Sequence, residues 1–431
     1  MRVIFVPSEA VQHTTSYYAA SANPFPQCGP LAGEHIADVC VIGAGFTGIS
    51  TALHLVERGY KVHVLEAKRI GWGASGRNGG QLIGGISGEA KLARKLCADG
   101  ERLIWELRWA GHDIVRERVT TYDIDCDLKW GYLDVAIKPR HLREQQREQE
   151  QLERYHFPHE YRTLSAEETR SIIGTNAYIG ALLNMGNGHL HPLNLCLGEA
   201  RAAVEHGAII SEQSEVLRIE QGSKPRVVTA GGSVTAEAVV LAGNAYHFVE
   251  PRLRGHLLPV NSFIIATEPL SAEQVASVNP LDLAVCDPNY VLEYYRLSAD
   301  KRLLFGGRCN YSGSDPERIK ALLKPRLFRV YPQLTGVKID FAWGGTIGVP
   351  VNRVPQMGRL AGNVFYSQGY SGHGVNVTHL AGQIMADAVG GTMERLDIFS
   401  RIRPVLIPGA HTLAKPLVSL GMVYFQLRDR L

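Results

Sequence analysis

The sequence predicts an α/β protein in which a Rossmann-type dinucleotide-binding domain is interleaved with a second, α+β domain built on a mostly antiparallel sheet. Three observations predict it. A strand, a glycine turn, a helix and a second strand follow one another between residues 38 and 66. The same α/β patterning returns near 190–243 and again near 363–389. Between those returns, 258–348 reads as mostly β.

Residues 1–35, rich in Pro, Ser, Thr and Ala, read as an irregular arm. Residues 38–42 are a short apolar run ending at glycine, as expected of a buried parallel strand. Ile49, Ala52, Leu53, Leu55 and Val56 set a broad apolar face at helical spacing, and Gly59 stands where that helix stops. Residues 62–65 form the second strand. Residues 89–120 read as helical, and so do 140–155, whose polarity predicts a mostly solvated surface. "SAEE" at 165–168 opens another helix with a capping box. A helix beginning at His191-Pro192 ends near Gly207, and short strands then lead to an apolar strand at 238–241. "NYVLEYYRLSADKRLLFGG" reads as a hairpin turning at Ala299-Asp300, with alternating side chains that bury one face. "GNVFYSQGYSGHGVNVTHLAGQIMADAVGG" reads as strand, glycine-rich turn and helix. The terminal "PLVSLGMVYFQLRDRL" has the pattern of an amphipathic helix.

The first motif is Gly43-x-Gly45-x-x-Gly48 with Glu66 at the end of the next strand. Gly43 permits the turn, Gly45 admits a pyrophosphate to the backbone, and Gly48 lets the helix pack on the sheet. The helix start, with Phe46 and Thr47, supplies N–H groups to phosphate. Glu66, followed by Ala67, can accept from ribose hydroxyls. The second motif, "GWGASGRNGGQL" at 71–82, has five glycines in twelve residues. Such density marks backbone that comes close to a ligand. The third is Gly369-Tyr370-Ser371-Gly372-His373-Gly374, a turn opening onto a helix whose N-terminus favours negative charge.

Composition excludes other classes. The net charge of +3 comes without a dense Lys/Arg tract, which gives no footprint for nucleic acid. The seven cysteines are scattered and never in a C-x-x-C pair, so neither a disulfide framework nor a metal site is expected. They suit a reducing, cytoplasmic location. The start lacks a signal-peptide layout, and no apolar run is long enough to span a bilayer.

"DVCVIGAGFTGISTALHLVERGYKVHVLEA", "GASGRNGGQL", "GNGHLHPLNL", "YYRLSADKRLLFGG" and "GYSGHGVNVTHLAGQ" together resemble the D-amino-acid oxidase and sarcosine oxidase family of flavoproteins. The resemblance covers nearly the whole chain. It implies an FAD site divided over 36–92, 172–250 and 352–392, and a substrate domain over 93–171 and 251–351. An arm at 1–35 and a segment at 393–431 complete the chain. It implies that Gly73, Ala74, Ser75, Gly76, Arg77, Asn78, Gly79 and Gln81 continue along the FAD toward its ring. A flavin is much longer than a phosphate, so one loop cannot line it. Val216 and Gly243 are further expected contacts. Gly369, Gly372, His373 and Gly374 are expected beside the ring, with His373 the candidate catalytic group.

Some sarcosine oxidases attach FAD through a cysteine near where Gly345-Thr346 fall here. No cysteine follows Cys309, so noncovalent FAD is expected. Their oxygen-activating lysine aligns near Leu304. Tyr290, Tyr294, Tyr295, Arg308 and Trp343 are the candidate substrate residues, since aromatic faces suit a cationic amine. His191 is a weaker one. The activity implied is oxidation of an amine, γ-glutamylputrescine or a related polyamine derivative, with oxygen or another acceptor. D-amino acid dehydrogenase and glycine or sarcosine oxidase are alternatives, and so is a flavin-binding accessory subunit without turnover.

Overall fold

The structure, a computed structural model, describes residues 11–96, 100–246, 249–289, 292–310, 315–360, 362–407 and 428–429, the side chains of 308–310 excepted. The amphipathic pattern read in the C-terminal segment falls outside these residues.

Among the described residues the strands form two sheets, one of eight and one of nine. In the first, the order is Gln356–Arg359, Val364–Gln368, Gly232–Leu241, Gly33–Ile42, Val62–Leu65, Ile209–Ser211, with Arg226–Thr229 and Val216–Glu220 attached to Gly232–Leu241. The four pairings from Val364–Gln368 to Ile209–Ser211 are parallel. Parallel strands are buried on both faces. Val39 and Val41 therefore pack under the helices, while Cys40 and Ile42 pack on the opposite side.

Four helices cover the first of these faces: Phe46–Val56, Gly100–Thr121, Pro192–Glu205 and Gly374–Val389. Glycine sets their closest approach. A Cβ on Gly382 would lie 2.3 Å from Ser50 Oγ, and one on Gly111 would lie 2.0 Å from the Asn376 carbonyl. Beneath this packing Glu199 is fully buried. It accepts from Arg118 Nη1 at 2.8 Å and from His379 Nε2 at 3.2 Å, while Arg118 also donates to Ser50. All four helices are thus joined through one buried carboxylate.

The second sheet runs Ile339–Val349, Leu258–Thr267, Leu303–Asn310, Glu293–Leu297, Ala284–Cys286, Lys129–Ala136, Gly180–His189, Gln81–Leu82, with Tyr161–Ser165 on Gly180–His189. Its pairings are antiparallel except that of Ala284–Cys286 with Lys129–Ala136. One face carries Leu133, Val285, Tyr295 and Phe305 against Ile319, Leu323 and Leu327 of the Pro316–Val330 helix. The other face turns toward the first sheet.

Several elements differ from the sequence expectation. The first strand starts at Gly33, and Gly232–Leu241 is equally long, because the two pair over their whole length. The arm is not wholly irregular: Tyr17–Ala20 is a helical turn capped by Ser16, and Tyr18 is fully buried. The expected 89–120 helix is Glu89–Ala93 and Gly100–Thr121. Gly180–His189 and Gln81–Leu82 belong to the second sheet, where they pair with each other. The polar Pro139–Arg154 helix buries His141, Gln145 and Leu152. The capping box at Ser165 and Glu168 is present in both directions.

Candidate active site

The glycine loop follows the Gly33–Ile42 strand at the carboxyl end of the parallel sheet, where ligands of such sheets bind. Each glycine has a separate reason. Gly43 has φ +105° and lies against the Ala242 carbonyl and Gly243. Gly45 caps the Phe46–Val56 helix with no side-chain bond, and a Cβ there would lie 2.8 Å from Ser75 Oγ. A Cβ on Gly48 would sit 1.8 Å from the Gly43 carbonyl oxygen. Glu66 Oε2 accepts from the Ala44 N–H at 2.7 Å and Oε1 from the Lys68 N–H at 2.8 Å. Burial pushes this carboxyl up, and those two N–H groups oppose the shift. Each oxygen keeps a lone pair for a hydroxyl donor. Val216 begins a strand two residues beyond Ser214, whose N–H donates to the Glu66 carbonyl.

Residues 71–82 join this loop rather than forming one of their own. The Phe46 N–H donates to Ser75 Oγ at 2.9 Å. Ala74–Gly76 is one 3₁₀ turn, and the Asn78 amide fastens it by donating to the Ala74 and Ser75 carbonyls and accepting from the Gly80 N–H. Arg77 is buried. Its Nε donates to the Trp72 carbonyl at 2.8 Å and its guanidinium lies 4.2 Å from the Trp72 ring centre. A Cβ on Gly73 would meet the Tyr246 ring and one on Gly79 the Tyr294 ring. Gln81 then enters the second sheet, donating to the Val285 carbonyl. The segment is a bridge between the sheets.

The third motif closes the same region. The Gly369 N–H donates to Asn244 Oδ1, and Gly372 has φ +82°. Tyr370 OH bonds both Thr47 Oγ1 and Ser367 Oγ, which ties this turn to the first loop. His373 occupies the N-cap of the Gly374–Val389 helix without capping it, so the helix start remains open to an anion. Its Nε2 lies 3.2 Å from the Gly84 carbonyl; a carbonyl only accepts, so Nε2 carries the proton. Burial pushes the imidazole below its ordinary pKa, against the Gly84 bond.

On the second sheet the substrate candidates separate. Tyr294 lies on the inner face with its ring across Gly306 and against Gly79. Tyr295 points to the outer core, stacks on Phe305 at 5.7 Å and donates to Tyr178 OH. Adjacent strand residues face opposite ways, so Tyr295 is corrected from pocket wall to core. Trp343 is also buried, and its indole N–H donates to the Arg77 carbonyl, which supports the 71–82 segment. His191 caps the Pro192–Glu205 helix, and burial pushes it down to about 3. Tyr290 and the Arg308 side chain lie outside the described residues. Leu304 is buried in the core shared with the nucleotide-side helices.

One residue was missed. Arg296, buried, donates from Nε to the Gly79 carbonyl at 2.7 Å and from Nη2 to the Leu190 carbonyl and Tyr18 OH. It stands inside the quoted hairpin, but nothing in a strand pattern distinguishes an arginine holding backbone from one at the surface.

The arrangement fits an extended dinucleotide. Its surface is largely main chain, and the start of the Gly374–Val389 helix carries no side-chain cap. Residues 38–388 match the family of FAD dependent oxidoreductases designated DAO. The chain is 44% identical over 423 residues to gamma-glutamylputrescine oxidoreductase of Escherichia coli K12, covering 97% of this chain and 99% of that one. It is 40% identical over 427 residues to the probable oxidoreductase OrdL of Haemophilus influenzae, covering 97% and 98%. Among solved structures, glycine oxidase from Geobacillus kaustophilus matches with a TM-score of 0.72 at 21% identity, over 86% of this chain and all of that one. L-proline dehydrogenase from P. horikoshii matches at 0.71 and 20% identity, over 85% and 96%. The last two show a shared fold.

Proposed function

The chain belongs to the DAO family of FAD dependent oxidoreductases, and on that premise we propose that it oxidises an amine, γ-glutamylputrescine or a related polyamine derivative, to an aldehyde. The observation that carries the substrate is the near-full-length likeness to the Escherichia coli enzyme, which includes both sheets. Amine, oxygen and water give aldehyde, ammonia and hydrogen peroxide, with a hydride leaving the carbon that bears the nitrogen.

Bound FAD supplies the two-electron acceptor, and the residues supply position and field. In this reading residues 43–48 and Glu66 hold the nucleotide end, while 73–81 extend along the cofactor. The open start of the Gly374–Val389 helix favours negative charge developing beside it. His373, bonded to Gly84, positions that turn. Tyr294 offers an aromatic face to an amine. No cysteine stands at Gly345-Thr346, so the cofactor is held noncovalently.

Among the described side chains, Arg296 is a buried arginine of the inner face, and its donors go to Gly79, Leu190, Tyr18 and Leu297, so it holds main chain. Anaerobic mixing of the yellow holoenzyme with γ-glutamylputrescine, putrescine, D-alanine, glycine and sarcosine tests the reading. Flavin bleaching by the first two, and peroxide on admitting air, is expected. Bleaching by the amino acids alone overturns it.

A further inference from the structure

The inner face of the second sheet carries one row of which the reaction above uses only Tyr294. Register puts Asp134 beside Cys286, Cys286 beside Tyr294, and Tyr294 beside Gly306, all on one face. Tyr132 lies two residues before Asp134 on that face, beside Ala284. The row ends at the ring that meets Gly79. Asp134 stands two strand spacings from that ring, about 10 Å away.

The Asp134 carboxylate has no hydrogen bond and no ion pair among the described residues. It is only half-buried by exposure, although it sits between the sheet and the Pro139–Arg154 helix. Gln145, Glu148 and Leu152 share one face of that helix, and Leu152 packs with Leu182, the cross-strand neighbour of Asp134. Gln145 is buried. Its Nε2 donates to the Asp134 carbonyl at 2.6 Å, while its Oε1 has no donor. Glu148 pairs with Arg108, which also binds Gln151. Burial, then the carboxylates of Glu148, Asp287 and Glu144, push the Asp134 carboxyl up to about 7. An uncompensated carboxylate calls for a cation and an orphaned amide oxygen for a hydrogen-bond donor, and an ammonium group supplies both.

We propose that Asp134 is a specificity determinant that receives a second, non-reacting ammonium group of the substrate, with Gln145 Oε1 as its companion acceptor. The proposal rests on the amine reading above. The reacting nitrogen must be neutral to release hydride, whereas a carboxylate holds an ammonium charged. The anion therefore serves the end of the substrate that does not react. The substrate class is an extended amine with a cation at the far end, such as the α-ammonium of a γ-glutamyl amide or the second amine of putrescine.

The test compares Asp134→Asn with wild type as holoenzymes. Steady-state rates are measured with γ-glutamylputrescine, putrescine and N-acetylputrescine, which has no second cation. Putrescine binding is followed in parallel by anaerobic calorimetry. The KM for the first two should rise at least tenfold, that for N-acetylputrescine less than twofold, and putrescine heat should fall in proportion. Asp134→Glu should recover part of the loss. An equal rise for all three amines, or unchanged putrescine binding, overturns the proposal. Binding that depends on Asp134 without flavin bleaching leaves the proposal standing and overturns amine oxidation instead. Absence of putrescine binding to wild type overturns the proposal.

Discussion

Around 43–48 and 71–82 the proposed cofactor surface is main chain, whereas the proposed substrate surface on the inner face of the antiparallel sheet is side chain. The first region is built by omission. Gly45, Gly48, Gly73 and Gly79 stand where a Cβ would meet Ser75, the Gly43 carbonyl, Tyr246 and Tyr294, so main chain packs closely there. The second is built by register. Tyr132, Asp134, Cys286 and Tyr294 come from three strands and meet because pairing aligns them. A main-chain cradle is specified within a few consecutive residues and binds what many proteins bind. A side-chain wall needs distant segments, and it can change its ligand one residue at a time.

The strongest break of this contrast is Gly48→Val. The new Cβ would fall on a backbone carbonyl that cannot step aside, so the helix must leave the strand. The purified variant should retain less than about a tenth of the wild-type FAD, read from its visible absorbance. Normal FAD content would show that the cradle tolerates side chains after all.

Glu199→Gln tests the support beneath the cradle. Breaking a buried ion pair from one side costs about 3–5 kcal/mol, seen as a lower unfolding midpoint in urea. Burial by itself raises the Glu199 carboxyl, but His379 and Arg118 outweigh it and hold it at about 2, below its ordinary 4.5. A depressed carboxyl stabilises fully above 4.5 and loses that contribution as pH falls toward 2. The stability gap between wild type and Glu199→Gln should therefore narrow between pH 5 and 2. A gap that is constant over that interval would sink the assignment.

Arg296→Met sharpens the boundary between the two regions, since Arg296 is a side chain of one that holds the main chain of the other. Leaving the Gly79 and Leu190 carbonyls without their donor should cost about 2–3 kcal/mol. FAD should also leave faster, measured as recovery of flavin fluorescence on dilution. Unchanged release would make the arginine a matter of sheet stability only.

The smallest effects separate neighbouring tyrosines. Tyr295→Phe loses one buried bond, about 1 kcal/mol of stability, and should leave the amine KM where it was. Tyr294→Leu should raise that KM about fivefold. Equal kinetic effects would show that the alternation of faces does not divide wall from core.

The proposed nucleotide end was legible because its constraints are local. Gly43, Gly45, Gly48 and Glu66 lie within twenty-four residues, and a positive φ or an excluded Cβ acts on the residue itself. The bridging role of 71–82 was only half legible: glycine density marks close approach, but not that the partners are Ser75 on Phe46 and Tyr294 on Gly79. The proposed substrate wall was less legible still. "YY" at 294–295 states two aromatic residues on opposite faces, and nothing nearby says which face meets the cofactor segment. That depends on Ala284–Cys286 pairing parallel to Lys129–Ala136 in an otherwise antiparallel sheet. Arg296 and Asp134 follow the same rule. The sequence by itself determined the two-sheet class, the nucleotide loop and the family, since backbone geometry and spacing are written in neighbouring residues. Tertiary structure alone decided which arginine holds backbone, which tyrosine is core and which carboxylate is left without a partner among the described residues, because these depend on segments more than a hundred residues apart: Arg296 with Gly79, Tyr295 with Tyr178, Asp134 with Cys286.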